Sequence, residues 1–149
     1  MNINWKIKPF KELTTDELYN LLFLRSEVFV VEQNCVYQDV DGKDSKAIHV
    51  LGEYNNQLVA YSRIFRPLDY FEEASIGRVV VPKSYRDKKI GHELMKVSIK
   101  AIHELFGENE ITISAQLYLK EFYQSHGFKV TSEEYLEDDI PHIQMKRRD

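Results

Sequence analysis

Fourteen residues, Val79 to His92, constrain this chain more than any others: V-V-V-P-K-S-Y-R-D-K-K-I-G-H. Three valines read as the end of a strand, Pro82 stops it, and a helical pattern opens near Gly91. The turn between them carries Lys83, Arg86, Lys88 and Lys89. A helix start leaves its first backbone N–H groups unpartnered and carries the positive end of the helix dipole. Strand, basic turn and helix start therefore make a seat for an anion, phosphate above all. A solvated lysine-rich loop has the same composition, and the stretch alone does not choose.

Taken in order, residues 4–8 read as a first strand, and Thr14-x-x-Glu17 is a capping box that opens a helix. Leu18, Leu21, Leu22, Arg25, Val28 and Phe29 follow as a buried stripe. Arg25 is the charged member of that stripe and needs a carboxylate, with Glu32, Asp39 and Asp41 the candidates. Residues 32–47 form an acidic loop without a period. Its D-V-D-G lacks the rest of a calcium-loop pattern, so no metal is expected. Cys35 reads as a packed small residue, with no positive neighbour in sequence to activate it.

Ile48–Tyr54 and Leu58–Phe65 form a hairpin around Asn55-Asn56-Gln57, and Ala74–Val81 is the next strand. Gly91–Phe106 has the broad apolar face of a packed helix, and Gly107 stops it. Ile111–Ala115 is a strand, so strand, helix and strand suggest a parallel crossover. Leu117–His126 reads as a helix ended by Gly127. Phe128–Thr131 and His142–Lys146 are the last strands, joined by the acidic segment Ser132–Pro141. The whole is an α+β class chain: one domain over residues 1–149, with a mixed sheet and helices on both faces.

Two motifs carry a family resemblance. Arg86-Asp87-Lys88-Lys89-Ile90-Gly91 resembles the Q/R-x-x-G-x-G/A loop of the GCN5-related N-acetyltransferases, with Lys89 where the family usually has its first glycine. Phe122-Tyr123-Gln124-Ser125-His126-Gly127-Phe128 is similar to the family's F-Y-x-x-x-G-F segment. The Arg25–Cys35 stretch, Tyr37-Gln38-Asp39-x-Asp41-Gly42 and Ile140-Pro141-His142-Ile143 further resemble the ElaA-like subfamily. These matches span residues 25 to 145.

The resemblance implies a GNAT-type acyl-CoA N-acyltransferase fold, in which a mostly antiparallel sheet holds one splayed parallel strand pair. It implies acetyl-coenzyme A as donor and direct transfer to a primary amine of a small molecule or peptide. Val79, Val80 and Val81 would pair with the pantetheine arm. The loop Arg86, Asp87, Lys88, Lys89, Ile90, Gly91 and His92 would seat the pyrophosphate. Gln116, Leu119, Phe122 and Tyr123 would line the far wall.

Such transfer needs a proton for the departing thiolate, and Tyr123 is the expected general acid, with Tyr118 as a competitor. For the general base, His142, His49 and Glu32 are candidates, His142 first. Arg25, Glu32, Gln33, Asp39 and His49 make the expected substrate side, although Arg25 reads first as a structural ion-pair member. Arg63 and Arg78 fit either an anionic substrate group or internal ion pairs.

Composition limits the rest. A net charge of −4 argues against nucleic acid as the main partner. No apolar run approaches the ~20 residues of a membrane span. The first residues lack the apolar core of a signal peptide, and a single cysteine fits a reducing cytoplasm. Monomer and homodimer remain equally open. Two other readings stand beside the transferase. One is an acyl-homoserine-lactone-type synthase, which shares the R-x-x-V-F element at Arg25–Phe29. The other is a non-catalytic acetyl-coenzyme A sensor.

Overall fold

The computed structural model describes all 149 residues. An eight-stranded mixed sheet runs in the order β1-β2-β3-β4-β5-β8-β6, with β7 also paired to β8. Its first half is an antiparallel meander: β1 (Asn4–Pro9), β2 (Ile48–Tyr54), β3 (Gln57–Phe65) and β4 (Ala74–Val80). Asn55 and Asn56 close the β2–β3 hairpin at φ 50° and 60°, the left-handed conformation that two-residue turns require and asparagine tolerates. Helix α2 (Ile90–Phe106) then carries the chain to β5 (Glu110–Gln116), which lies parallel to β4.

Helices cover both faces. Strand residues alternate sides, so Val50 and Ala60 meet α2 while their neighbours Leu51 and Tyr61 meet α1 (Thr15–Arg25). Beneath α2, Leu94, Met95, Ser98 and Ile102 are fully buried, and Ser98 hydrogen-bonds Ser62 at 2.7 Å. On the other face, Leu21, Leu24 and Val28 form a smaller core with Val80. The expected capping box starts α1: Glu17 N–H donates to Thr14 Oγ1 at 3.0 Å, and Thr14 N–H donates to Glu17 at 2.9 Å. From Ser26 to Glu32 the helix widens into a π-helical turn, a form that often accompanies functional sites. No helix is long and apolar enough to cross a membrane.

Two expectations need correction. The helix expected over 117–126 is a 3-10 turn, Leu117–Leu119, followed by the short α3 (Lys120–Gln124). Leu119 sits at φ −100°, ψ 8°, outside the α-helical region, and interrupts it. The acidic segment 132–141 is not a plain connection. It contains β7 (Tyr135–Glu137), turns at Asp138 and Asp139 (φ 51° and 61°), and enters β8 (Ile140–Arg148). Strand β6 (Lys129–Val130) pairs on the same side of β8.

The parallel pair is what positions the site. β4 and β5 pair only at Ala74–Ile111 and Ser75–Thr112, then separate. The register of β3 against β4 shifts between Tyr61 and Arg63, and Arg78 stands at φ 50°. A bulge of this kind bends its strand, and beyond it β4 stays with β3 while β5 stays with β8.

Candidate active site

The gap between the splayed strands is a cleft of about 310 Å³. Its β4 wall is Ile76 to Val81, its β5 wall Ile113, Ser114 and Gln116, and its floor Leu119, Phe122 and Tyr123. The π-helical turn contributes Val28, Phe29, Glu32 and Gln33, and the β7–β8 hairpin contributes Glu137, Asp138, Ile140 and His142.

The turn expected to seat an anion leads into α2. Lys89 is the N-cap of α2 at φ 60°, ψ 19°, and no side chain caps the helix. The left-handed conformation that a glycine would supply is therefore adopted by a lysine, at a cost of about 1 kcal/mol. The first N–H groups, from Ile90 to His92, have no helical acceptor. Arg86 turns back to donate to the Val81 carbonyl at 3.0 Å and pairs with Glu32 across the cleft mouth. Glu32 is thus held as a carboxylate below its usual range by Arg86. Asp87, Lys88 and Lys89 are exposed and do not line the cleft. Ile90 is buried in the core and does not line the cleft. His92 packs on Phe122 (4.9 Å) and hydrogen-bonds His126 at 2.9 Å.

In the floor, Tyr123 is 6% exposed, and its hydroxyl makes no hydrogen bond within the protein. Burial pushes its phenol well above the ordinary value, so it is protonated throughout the neutral range. Tyr118 also lines the cleft but is largely exposed. Gln33 and Gln116 exchange amide hydrogen bonds of 3.1 and 3.2 Å over the cleft. The Cys35 thiol donates to the Asp138 carbonyl at 3.3 Å, tying the acidic loop to the β7–β8 turn.

His142 is 6% exposed and stands opposite Gln116 in the β5–β8 register. Its Nδ1 lies 2.7 Å from the Ile140 carbonyl. A carbonyl only accepts, so Nδ1 carries a proton, and in the neutral ring the lone pair is on Nε2. Glu137 Oε2 stands 3.5 Å from that lone pair. Ser114 donates to the other Glu137 oxygen at 3.2 Å and also hydrogen-bonds the Tyr135 hydroxyl.

Three residues expected on the substrate side do not reach the cleft. Arg25 is fully buried: Nε donates to Asp39 (2.8 Å) and Nη1 to Asp44 (2.7 Å). Its second partner is Asp44, not Glu32 or Asp41. Asp39 is enclosed by Arg25, Tyr37 and Arg78. His49 is 0% exposed, donating from Nε2 to the Asp44 carbonyl (2.9 Å) and accepting from Tyr61 (2.6 Å). Burial pushes its pKa down, so it is a neutral structural histidine, not a base for the cleft. Arg63 pairs with Asp41 and Asp44 inside the same network. All three behave as buried charges and polar rings must, by finding partners inside the protein. Of the expected set, Glu32 and Gln33 do line the cleft.

The network has one effect on the site. Arg78 Nε lies 2.8 Å from Asp39 Oδ1 and its Nη2 donates to the Asp39 carbonyl at 3.0 Å. These contacts hold the left-handed residue of the bulge that opens the cleft. Sequence reasoning missed Ser114, Glu137 and Asp138. A usable signal was Asp138-Asp139 between Tyr135 and Ile140, two turn formers between apolar residues.

The family model described as "Acetyltransferase (GNAT) domain" matches residues 12–148. Protein ElaA of Escherichia coli is 44% identical over 147 residues, covering 97% of this chain and 96% of that protein. The crystal structure of E. coli ElaA superposes with a TM-score of 0.92 at 43% identity, covering 99% of this chain and 100% of the other. That of an acyl-CoA N-acyltransferase from Pseudomonas aeruginosa superposes with a TM-score of 0.93 at 42% identity, covering 98% and 99%.

Proposed function

The chain belongs to the GNAT acetyltransferase family, and on that premise we propose that it moves an acetyl group from acetyl-coenzyme A directly to a primary amine of a small molecule or peptide. The observation that carries this reading is the meeting, in one cleft, of the Val79–Val81 backbone, the Arg86 anion seat and the unpartnered Tyr123 hydroxyl.

The residues present fit the donor. Val79 and Val81 lie on the wall that β5 leaves unpaired, where an extended pantetheine arm pairs like an added strand. Arg86, Lys88, Lys89 and the free N–H groups of α2 hold the pyrophosphate. Leu119 and Phe122 close the apolar side.

His142 Nε2 takes the proton of the incoming amine, because Nδ1 is committed to Ile140. Tyr123 gives its proton to the sulfur as the C–S bond breaks and the N–C bond forms. In balance, an ammonium and the thioester yield an amide, a free thiol and one proton. Glu32 and Gln33 stand at the mouth, between donor seat and acceptor side. The test is release of free thiol from acetyl-coenzyme A across a panel of amines, with coenzyme A binding measured in parallel.

A further inference from the structure

Three carboxylates line the cleft, Glu32, Glu137 and Asp138, and none of them is an aspartate of the 32–47 loop. Asp39, Asp41 and Asp44 are all taken by arginines, and Glu32 is taken by Arg86. Glu137 and Asp138, which line the cleft, form no ion pair with any lysine or arginine. They sit on the β7–β8 hairpin, where Ser114 donates to Glu137 and Cys35 to the Asp138 carbonyl. Arg78 does not neutralise them, because its guanidinium faces Asp39.

A second observation is independent of charge. His142 is more than nine-tenths buried, and its Nε2 makes no hydrogen bond. His142 Nε2 and Glu137 Oε2 face each other at 3.5 Å, an ion pair when the ring is protonated and two bare acceptors when it is neutral. Acceptors at that separation repel unless a donor lies against both. An ammonium carries three N–H donors and one positive charge, and it can sit within hydrogen-bond distance of both atoms. The surrounding cleft wall offers Phe29, Tyr37, Ile113 and Ile140 to an apolar stem.

We propose that Glu137, Asp138 and His142 form the acceptor subsite, and that its ligand is a primary alkylammonium with no carboxylate beside the nitrogen. This rests on the transfer reading and names its substrate class. Glu137 holds the ammonium, and its orientation is fixed by the hydrogen bond from Ser114. His142 takes one proton from the ammonium before the nitrogen attacks the thioester carbon. The second N–H proton leaves as the N–C bond forms and the C–S bond breaks; the thiolate takes a proton from Tyr123, the second N–H proton restores the Tyr123 phenol, and His142 releases the first to solvent. A carboxylate on the carbon bearing the nitrogen would lie against Glu137 and Asp138 and be repelled.

The test compares n-pentylamine with norleucine, which is the same amine with an α-carboxylate. The expected result is transfer to pentylamine with kcat/KM at least about tenfold above norleucine. Glu137→Gln keeps the side-chain shape and removes the charge. It should raise the KM for pentylamine about 10- to 100-fold, the loss of one charge-assisted hydrogen bond, with coenzyme A affinity unchanged. Equal use of norleucine, or an unchanged amine KM in the variant, would overturn the subsite. Calorimetric binding of pentylammonium to the coenzyme A-bound protein needs no turnover. Binding lost in Glu137→Gln supports the subsite, and no binding, or equal binding in the variant, overturns it. Pentylammonium binding without thiol release would instead sink the transfer reading and leave the ammonium site standing.

Discussion

Arg86 gives both Nη groups to the carboxylate of Glu32 across the mouth of the cleft. One side chain comes from the turn after β4 and the other from the π-helical turn, 54 residues apart in sequence. A carboxylate thus occupies the arginine that a pyrophosphate would use. Pairs this exposed are worth about 0–1 kcal/mol. Replacing Glu32 by Gln should free Arg86 and tighten coenzyme A binding by up to about fivefold. Titration calorimetry reads this directly, and weaker binding in the variant would show that Glu32 helps to hold the ligand instead.

Asp44 accepts from both Arg25 and Arg63 through one oxygen, at 2.7 and 2.8 Å. Removing one member of a buried ionic network strands the others, at a cost of about 3–5 kcal/mol. Asp44→Ala should therefore lower the urea midpoint sharply without touching the cleft lining. A midpoint shift equivalent to less than about 1 kcal/mol would mean that water reaches the two arginines.

Acid should weaken the protein partly through Glu17. Burial pushes this carboxyl up, but the Thr14 backbone N–H, Lys8 and Lys6 outweigh burial and hold it at about 2. Its folded pKa is thus below its unfolded value near 4.5. The stability it contributes is complete above about 4.5 and is lost as pH falls towards 2. Glu17→Gln should lower stability at pH 7 and flatten the acid limb of a stability–pH curve. An identical acid limb in the variant would contradict the assignment.

Lys89 holds the left-handed conformation at the start of α2. Lys89→Gly should raise stability by about 1 kcal/mol by relieving the strain. Because one positive charge is lost from the anion seat, coenzyme A affinity should fall modestly and depend less on salt. A destabilised variant would show that the lysine side chain anchors the turn.

What could be read from the sequence was mostly local. The Thr14–Glu17 capping box, the Asn55-Asn56 turn, and the strand–turn–helix around Val79–Gly91 are each specified by residues close together in the chain. The widening at Ser26–Glu32 and the break at Leu119 were not legible, because both depend on what the helices pack against. β7 was missed because Tyr135–Glu137 is only three residues long and makes sense only once paired with β8. The acidic loop was recognised but its use was not. Whether Asp39, Asp41 and Asp44 face solvent or arginines is decided by Arg25, Arg63 and Arg78, which arrive from three separate elements. For the same reason His49 and His142 look alike as strand histidines. Only the structure separates a ring with both nitrogens hydrogen-bonded from one whose Nε2 lies 3.5 Å from a cleft carboxylate.

The central claim is acetyl transfer with Tyr123 as proton donor, and one comparison tests it most directly. Thiol release from acetyl-coenzyme A with n-pentylamine is measured in the native protein and in Tyr123→Phe, alongside coenzyme A affinity. Amine-dependent release should fall by at least about 10²-fold in the variant while affinity stays the same. Release that is equal in the two proteins would remove Tyr123 from the mechanism. Binding of coenzyme A with no release across the amine panel would contradict the transferase itself.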